Sequence, residues 1–237
     1  MEFFQVKTKL NDAFRANWVV SQLTKLSSAK QIHLLDVGAG SSPYKLEIQK
    51  LGIIYKSHDF NKYLPSNNEE KSSGLQNYDW NCAQHDYVCE ILDLIPECKF
   101  DIILCTEVFE HIPDPIRALE KLSKITMPGG SIIITVPFLG LMHQSPYWFQ
   151  AGLSPYWFDY WAKTFDLSIE EITVSGTYAD LINQEINRYF VNIFKFRGAG
   201  KLISLLTKPL YLLGKYINAD LQSSGAFGTL VVLRKQS

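Results

Sequence analysis

The run Leu34-Leu35-Asp36-Val37-Gly38-Ala39-Gly40-Ser41-Ser42-Pro43 places chemistry-bearing residue types at a useful spacing. An apolar strand pattern ends, the chain turns at Gly38-Ala39-Gly40, and a helix pattern follows. Glycine suits a turn where φ is positive or where a ligand lies against the main chain. Amides opening the next helix suit a carboxylate or phosphate. A sharp ligand-free turn has the same pattern, so the companions matter. Asp36 can hold the loop and, through water, a ligand's ammonium. Asp59, in Lys56-Ser57-His58-Asp59-Phe60, lies about twenty residues past the loop, where a carboxylate can accept both hydroxyls of a ribose. Phe60 follows it directly. Glu90 can accept from an adenine amino group while Ile91 packs on the ring, with Asp86 as a competing carboxylate.

Two details favour S-adenosylmethionine over a dinucleotide. The third glycine of the dinucleotide fingerprint is replaced in Gly38-Ala39-Gly40-Ser41-Ser42-Pro43. A pyrophosphate also gains nothing from a carboxylate at Asp36. An NAD(P)-dependent oxidoreductase or epimerase is the alternative that shares this strand, turn and acidic partner. A non-catalytic binding module would share the sheet without the pocket carboxylates.

Methyl transfer from a sulfonium is an in-line displacement, and a hydroxyl acceptor also needs a base. His143 is the first candidate for that role, on an aromatic loop with Phe138, Met142, Tyr147, Trp148 and Phe149. Its imidazole can take a proton at neutral pH; a hydrogen-bonded loop histidine is the alternative. His111 is assigned a structural or cofactor-side role, with proton transfer as its second reading. His33, His58 and His85 show no metal-ligand pattern. Nor do Cys82, Cys89, Cys98 and Cys105, which lack the close pairing of zinc sites. No metal is expected.

The elements that must position these residues alternate as in a parallel sheet with crossover helices. Leu10 to Leu26 reads as an amphipathic helix. Strands are predicted over Gln31–Val37, Ile53–Asp59, Asp86–Ile91, Phe100–Thr106, Ser131–Val136, Leu167–Val174 and Phe227–Arg234. Helices are predicted over Pro43–Leu51 with Ser42 as cap, over Pro115–Thr126 with Asp114 as cap, and from Pro155 to Phe165 with Ser154 as cap. Pro128-Gly129-Gly130 is read as a helix stop. Asn61 to Gly74 reads as a mobile loop. Thr177 to Gly225 is a helical insertion between the last two strands, read as a lid over the acceptor, a dimer surface, or a peripheral membrane contact. The whole chain, residues 1–237, is read as one domain.

Net charge is -1 and charged residues make up 20%, which gives no global reason to expect nucleic acid as partner. Met1 to Leu10, with Glu2, Lys7 and Lys9, does not read as a signal peptide, and the longest apolar stretch is broken by Lys208, Pro209 and Lys215, so the protein is expected to be cytoplasmic.

Phe100-Asp101-Ile102-Ile103-Leu104-Cys105-Thr106-Glu107-Val108-Phe109-Glu110-His111-Ile112-Pro113-Asp114-Pro115 resembles the fourth-strand motif of a class I methyltransferase superfamily. That superfamily is the one related to ubiquinone and menaquinone biosynthesis C-methyltransferases. Met127-Pro128-Gly129-Gly130, followed by an apolar strand ending in Thr135-Val136-Pro137, fits the same pattern, and the resemblance spans about Ile32 to Ile172. It implies a Rossmann-like α/β fold with seven strands, mostly parallel, the last reversed, and helices on both faces. S-adenosylmethionine would lie across the carboxyl ends of the first strands. The resemblance puts Gly38 and Gly40 at the methionine moiety, Asp59 at the ribose, Glu90 at the adenine, and Thr106 with Glu107 along the floor. Pro137-Phe138, His143, Pro146-Tyr147 and Pro155-Tyr156-Trp157-Phe158 are similar to a bacterial subgroup associated with glycan or small-molecule pathways. A small-molecule or lipid/glycan-pathway acceptor is therefore expected, with a homodimer as a further possibility.

Overall fold

The sheet is built around β1 (His33–Val37) and β4 (Phe100–Thr106), two strands whose side chains are buried on both faces. In this computed structural model residues 8–27, 30–62, 84–140, 143–144, 146–183, 185–186, 208–209, 212 and 226–236 are described. The other strands are β2 (Ile54–Asp59), β3 (Tyr87–Val88), β5 (Thr126–Pro137), β6 (Leu167–Ser175) and β7 (Gly228–Lys235). Their order is β3-β2-β1-β4-β5-β7-β6 in one seven-stranded sheet. β7 runs antiparallel to both β5 and β6, and the pairings among β1 to β5 are parallel. The reversed last strand is therefore inserted between β5 and β6.

Successive side chains on a strand point to opposite faces, and here each face carries its own helices. Leu35, Val37, Ile103, Cys105, Ile132, Ile134, Val231 and Leu233 pack with α3 (Pro115–Ile125) and α4 (Pro155–Thr164). Leu34, Ile102, Leu104, Ile133 and Val232 pack instead with Val19 and Leu23 of α1 (Thr8–Leu26) and Ile48 of α2 (Lys45–Lys50). This two-sided burial explains the unbroken apolar runs of the central strands. It also sets direction: Asp36, in phase with Leu34, points toward the α1–α2 side.

α1 is anchored across the sheet by Glu171 of β6. One carboxylate oxygen accepts from Trp18 Nε1 and Gln22 Nε2, each at 2.8 Å, and the other meets Lys25 Nζ at 3.0 Å. α3 begins as expected, with Pro115 at its first turn and the Asp114 side chain accepting from Arg117 N at 3.0 Å.

Several boundaries differ from the sequence reading. Ser42 does not cap α2: it has φ +56° in a turn, the helix starts at Lys45, and Tyr44 precedes it without a side-chain cap. A capping serine needs an extended backbone, which a left-handed residue does not have. Ser154 makes no side-chain cap either; its carbonyl accepts from Trp157 N. Met127-Pro128-Gly129-Gly130 is not a helix stop but the first part of β5, where the register with β4 shifts between Phe100 and Ile102. A Cβ on Gly130 would lie 2.8 Å from the Asp101 carbonyl oxygen, so the bulge needs glycine there. β3 is two residues long rather than six.

Most of the Asn61–Gly74 loop and of the Thr177–Gly225 insertion lies outside the described residues. Residues 178–183 and 185–186 of the insertion are helical. Their start is a reciprocal cap, with Asp180 N donating to Thr177 Oγ1 and Thr177 N donating to Asp180 Oδ2. Among the described residues no helix is long and apolar enough to cross a membrane.

Candidate functional site

Parallel strands with aligned carboxyl ends leave a crevice there, and β1, β2, β4 and β5 end together at one edge of this sheet. Val37 pairs with His58, Asp36 with Leu104, and Thr106 with Thr135. The glycine loop leaves β1 at this edge, with Gly38 at φ +68° and Gly40 at φ +51°. Ala39 N donates to the His58 carbonyl at 2.9 Å, which ties the loop to β2. A Cβ on Gly38 would collide with the Val108 side chain, so the loop lies directly on the residues that follow β4.

Asp59 braces this loop. Its Oδ2 accepts from Gly40 N at 3.0 Å and its Oδ1 from Asn61 N at 2.8 Å. Each carboxylate oxygen keeps a further lone pair for a ligand hydroxyl. Asp36 is 1% exposed and accepts from the Tyr55 hydroxyl at 2.9 Å. Burial pushes its carboxyl up to about 7, opposed by the Tyr55 hydrogen bond and aided by the nearby Asp59 charge. Tyr55 is raised in turn by burial and by Asp36.

The floor is more tightly organised than the sequence suggests. Glu107 sits at φ +54°, and its carboxylate accepts from Thr135 Oγ1 at 2.9 Å and meets Arg15 of α1 at 3.0 Å. Tyr44 completes this group: burial pushes its phenol up, against the pull of Arg15 beside it. Ser42, Asn61, Glu107 and Gln144 are non-glycine residues with positive φ, and all four flank this edge. Such strained residues gather where a binding geometry is fixed.

At β3 the two competing carboxylates separate. Asp86 accepts from Ser57 N at 2.9 Å and pairs with Lys56 at 2.7 Å, so it braces β2. Glu90 is exposed, pairs with Lys62 at 2.8 Å, and is followed by buried Ile91.

A second cluster faces the loop after β5. The Glu110 carbonyl accepts from Phe149 N and Gln150 N, and Gly140 N donates to Ala151 O, which fasten that loop. His111 Nδ1 meets the Tyr147 carbonyl. Burial lowers the His111 imidazole to about 4, helped by nearby His143 and opposed by the Tyr147 carbonyl, so it is neutral at physiological pH. The His111 and His143 rings lie 4.9 Å apart, and Trp148 sits 4.4 Å from His143. Phe60 meets Tyr147 edge-on at 5.0 Å, which joins this cluster to the Asp59 side. Met142 lies outside the described residues.

Asp36, Gly38, Ala39, Gly40, Asp59, Phe60, Thr106 and Glu107 thus share one edge, with His111 and His143 across from them. Arg15, Tyr55, Thr135 and Glu110 join them without having been singled out. Arg15 had a signal: it lies four residues before Val19 and eight before Leu23, so a charge falls in the buried stripe of α1. Glu110 had one too, as an acid at an apolar turn; its side chain is fully buried, and burial, then Glu107, push its carboxyl well up.

Residues 12–170 match a family described as a methyltransferase domain. The chain is 28% identical over 123 residues to a ubiquinone biosynthesis O-methyltransferase of Coxiella burnetii, covering 51% of this chain and 48% of that one. It therefore spans about half the length of the curated relatives it matches. The magnesium protoporphyrin IX methyltransferase of Synechocystis PCC 6803, crystallised with bound S-adenosylmethionine, superposes with a TM-score of 0.56 at 10% identity, covering 100% of this chain and 86% of that one. A Haemonchus contortus phosphoethanolamine N-methyltransferase, also in complex with S-adenosylmethionine, gives 0.52 at 17% identity, covering 93% and 53%. The family match, together with the β3-β2-β1-β4-β5-β7-β6 strand order, places this chain in the methyltransferase-domain family, with the class I fold that takes S-adenosylmethionine as its methyl donor.

Proposed function

We propose that this chain transfers a methyl group from S-adenosylmethionine to a hydroxyl or amine of a small-molecule acceptor, of the kind found in glycan or secondary metabolism. One observation carries the reading: buried Asp36 and Asp59 flank a left-handed glycine loop, directly across from an aromatic–histidine cluster. The donor, when bound, supplies an electrophilic methyl on a sulfonium.

The chain's own residues do the rest. The Gly38-Ala39-Gly40 backbone receives the methionine portion, and Asp36 faces its ammonium. Asp59 accepts from the ribose hydroxyls with its remaining lone pairs. Glu90 and Ile91 frame the adenine, which requires Glu90 to leave its exposed pair with Lys62. Thr106 and Glu107 form the floor, held by Arg15. Tyr147 and Trp148 exclude water around the acceptor, which matters because water competes for the same methyl. His143 is the group on which deprotonation of a hydroxyl acceptor depends. The relative from Coxiella burnetii is named for O-methylation, which supports the hydroxyl reading.

Calorimetry with S-adenosylhomocysteine on the wild type and Asp59→Ala tests the donor half. Loss of two charge-assisted hydrogen bonds should cost on the order of 2–4 kcal/mol of binding. Unchanged affinity would remove Asp59 from the ribose. For the acceptor half, methylation of nucleic acid or protein with none across a metabolite panel would overturn the small-molecule reading.

A further inference from the structure

Buried polar atoms in folded proteins nearly always have partners. Both Glu110 carboxylate oxygens and His111 Nε2 are buried here without one. These atoms face each other, with Glu110 Oε1 3.7 Å from His111 Nε2. One ligand-type atom from each of Glu110, His111 and His143 lies within 4.8 Å of the others. The orientation of His111 is fixed from behind. A carbonyl oxygen can only accept, so the contact with Tyr147 O puts the proton on Nδ1 and leaves the Nε2 lone pair aimed into the cluster. Metal-binding histidines are held in this way by a partner on their other nitrogen.

We propose that Glu110, His111 and His143 form a binding site for a divalent transition-metal ion of the zinc type. Two imidazoles with one carboxylate suit Zn2+ and its first-row neighbours, whereas Mg2+ and Ca2+ prefer oxygen ligands throughout. Bonds of about 2.0–2.2 Å in a tetrahedral set put ligand atoms about 3.3–3.6 Å apart. Closing from the present spacing takes a small side-chain adjustment and no rearrangement of strands. The backbone bonds from Phe149 N and Gln150 N to Glu110 O already hold the His143 loop against the turn that carries the other two ligands. Trp148, 4.4 Å from His143 and 5.8 Å from His111, supplies the apolar shell that sharpens such a site. An ion at this position satisfies the two Glu110 carboxylate oxygens that lack hydrogen-bond partners.

Three protein ligands leave at least one coordination position open. A hydroxyl that takes it would become more acidic and lose its proton more readily. That consequence, though not the site, rests on the acceptor reading above.

The test uses the untagged full chain, stripped with a chelator and titrated with Co2+ as a spectroscopic stand-in for Zn2+. Wild type should develop the visible absorption of a low-coordinate Co2+ site at one ion per chain, and Zn2+ should bleach it. Glu110→Gln and His143→Ala should each lower affinity by ~100-fold or more. Both should still show a rise in melting temperature with S-adenosylhomocysteine, which separates failure of this site from failure of the donor reading. Absence of the Co2+ band in wild type overturns the proposal. So does a band of equal strength and affinity in His143→Ala, a loop variant that keeps the turn intact.

Discussion

Asp36→Asn removes a carboxyl from a buried position of the crevice. The Asp36 carboxyl is 1% exposed, and burial raises it from 3.8 to about 7. A carboxyl raised on folding binds its proton more tightly in the native state than in the unfolded one. Its effect is therefore neutral below about pH 4, grows as a destabilisation while pH climbs toward 7, and is constant above that. At full ionisation the gap is worth on the order of 4 kcal/mol. Asparagine is nearly isosteric, and its amide oxygen can still accept the Tyr55 hydroxyl that now sits 2.9 Å from Oδ2. Ligand-free Asp36→Asn should then be more stable than wild type, by roughly 1 kcal/mol more at about pH 8 than at about pH 6. Urea titrations of both proteins at those two pH values read this difference directly. The same variant should bind S-adenosylhomocysteine more weakly, because the ammonium loses its counter-charge; near neutral pH, wild-type binding should also release a proton. A stability difference that does not widen between the two pH values would refute the burial argument. Unchanged affinity would refute the ammonium assignment while leaving the burial argument intact. Stability gained and affinity lost together is the pattern expected where a strained charge is kept for a ligand.

Three other perturbations follow from the geometry. Gly38→Ala forces a side chain into a left-handed residue and into Val108, and should cost about 2–5 kcal/mol; adding Val108→Ala should return only the steric share, and a fully stable single variant would show the loop is not packed as described. Arg15→Ala and Glu107→Gln, singly and together, should reveal a coupling of about 1–3 kcal/mol by denaturation; strict additivity would break the link from α1 to the floor. Glu171→Ala removes the acceptor shared by Trp18 and Gln22, and should lower stability by about 1–2 kcal/mol while speeding amide exchange in α1; exchange confined to β6 would refute that anchoring.

The central strands were readable because both faces of the sheet are covered, which leaves the sequence no choice but apolar runs such as Ser131-Ile132-Ile133-Ile134-Thr135-Val136. α3 was readable because its cap is local: Asp114 reaches an amide three residues on. Where local chemistry and tertiary demand diverge, the reading slipped. Ser42-Pro43 resembles a helix start, yet the close passage of the glycine loop leaves Ser42 in a left-handed turn. Tyr87–Val88 is a two-residue edge strand with Val88 exposed, too short for periodicity to fix its bounds within the expected Asp86–Ile91. Glu171, Tyr55 and Arg15 act through partners 149, 19 and 92 positions away, as with Gln22, Asp36 and Glu107 respectively. No window along the chain contains both members of such a pair.

The segment after β4 shows how residues adjacent in sequence come to face different partners. Thr106 ends the strand in register with Thr135. Glu107 then turns through positive φ, which no strand tolerates, and swings its carboxylate to Thr135 and Arg15 under the glycine loop. Val108 fills the space that Gly38 leaves by lacking a Cβ. Phe109 packs in the core against Trp157 and Phe158 and so anchors the 3-10 turn Phe109–His111. With that anchor fixed, Glu110 and His111 can only face the loop that carries Tyr147 and Trp148. The left-handed kink at Glu107 is thus the point at which one strand end divides between the two halves of the crevice. A shift there would be felt at Arg15 and at His111 alike.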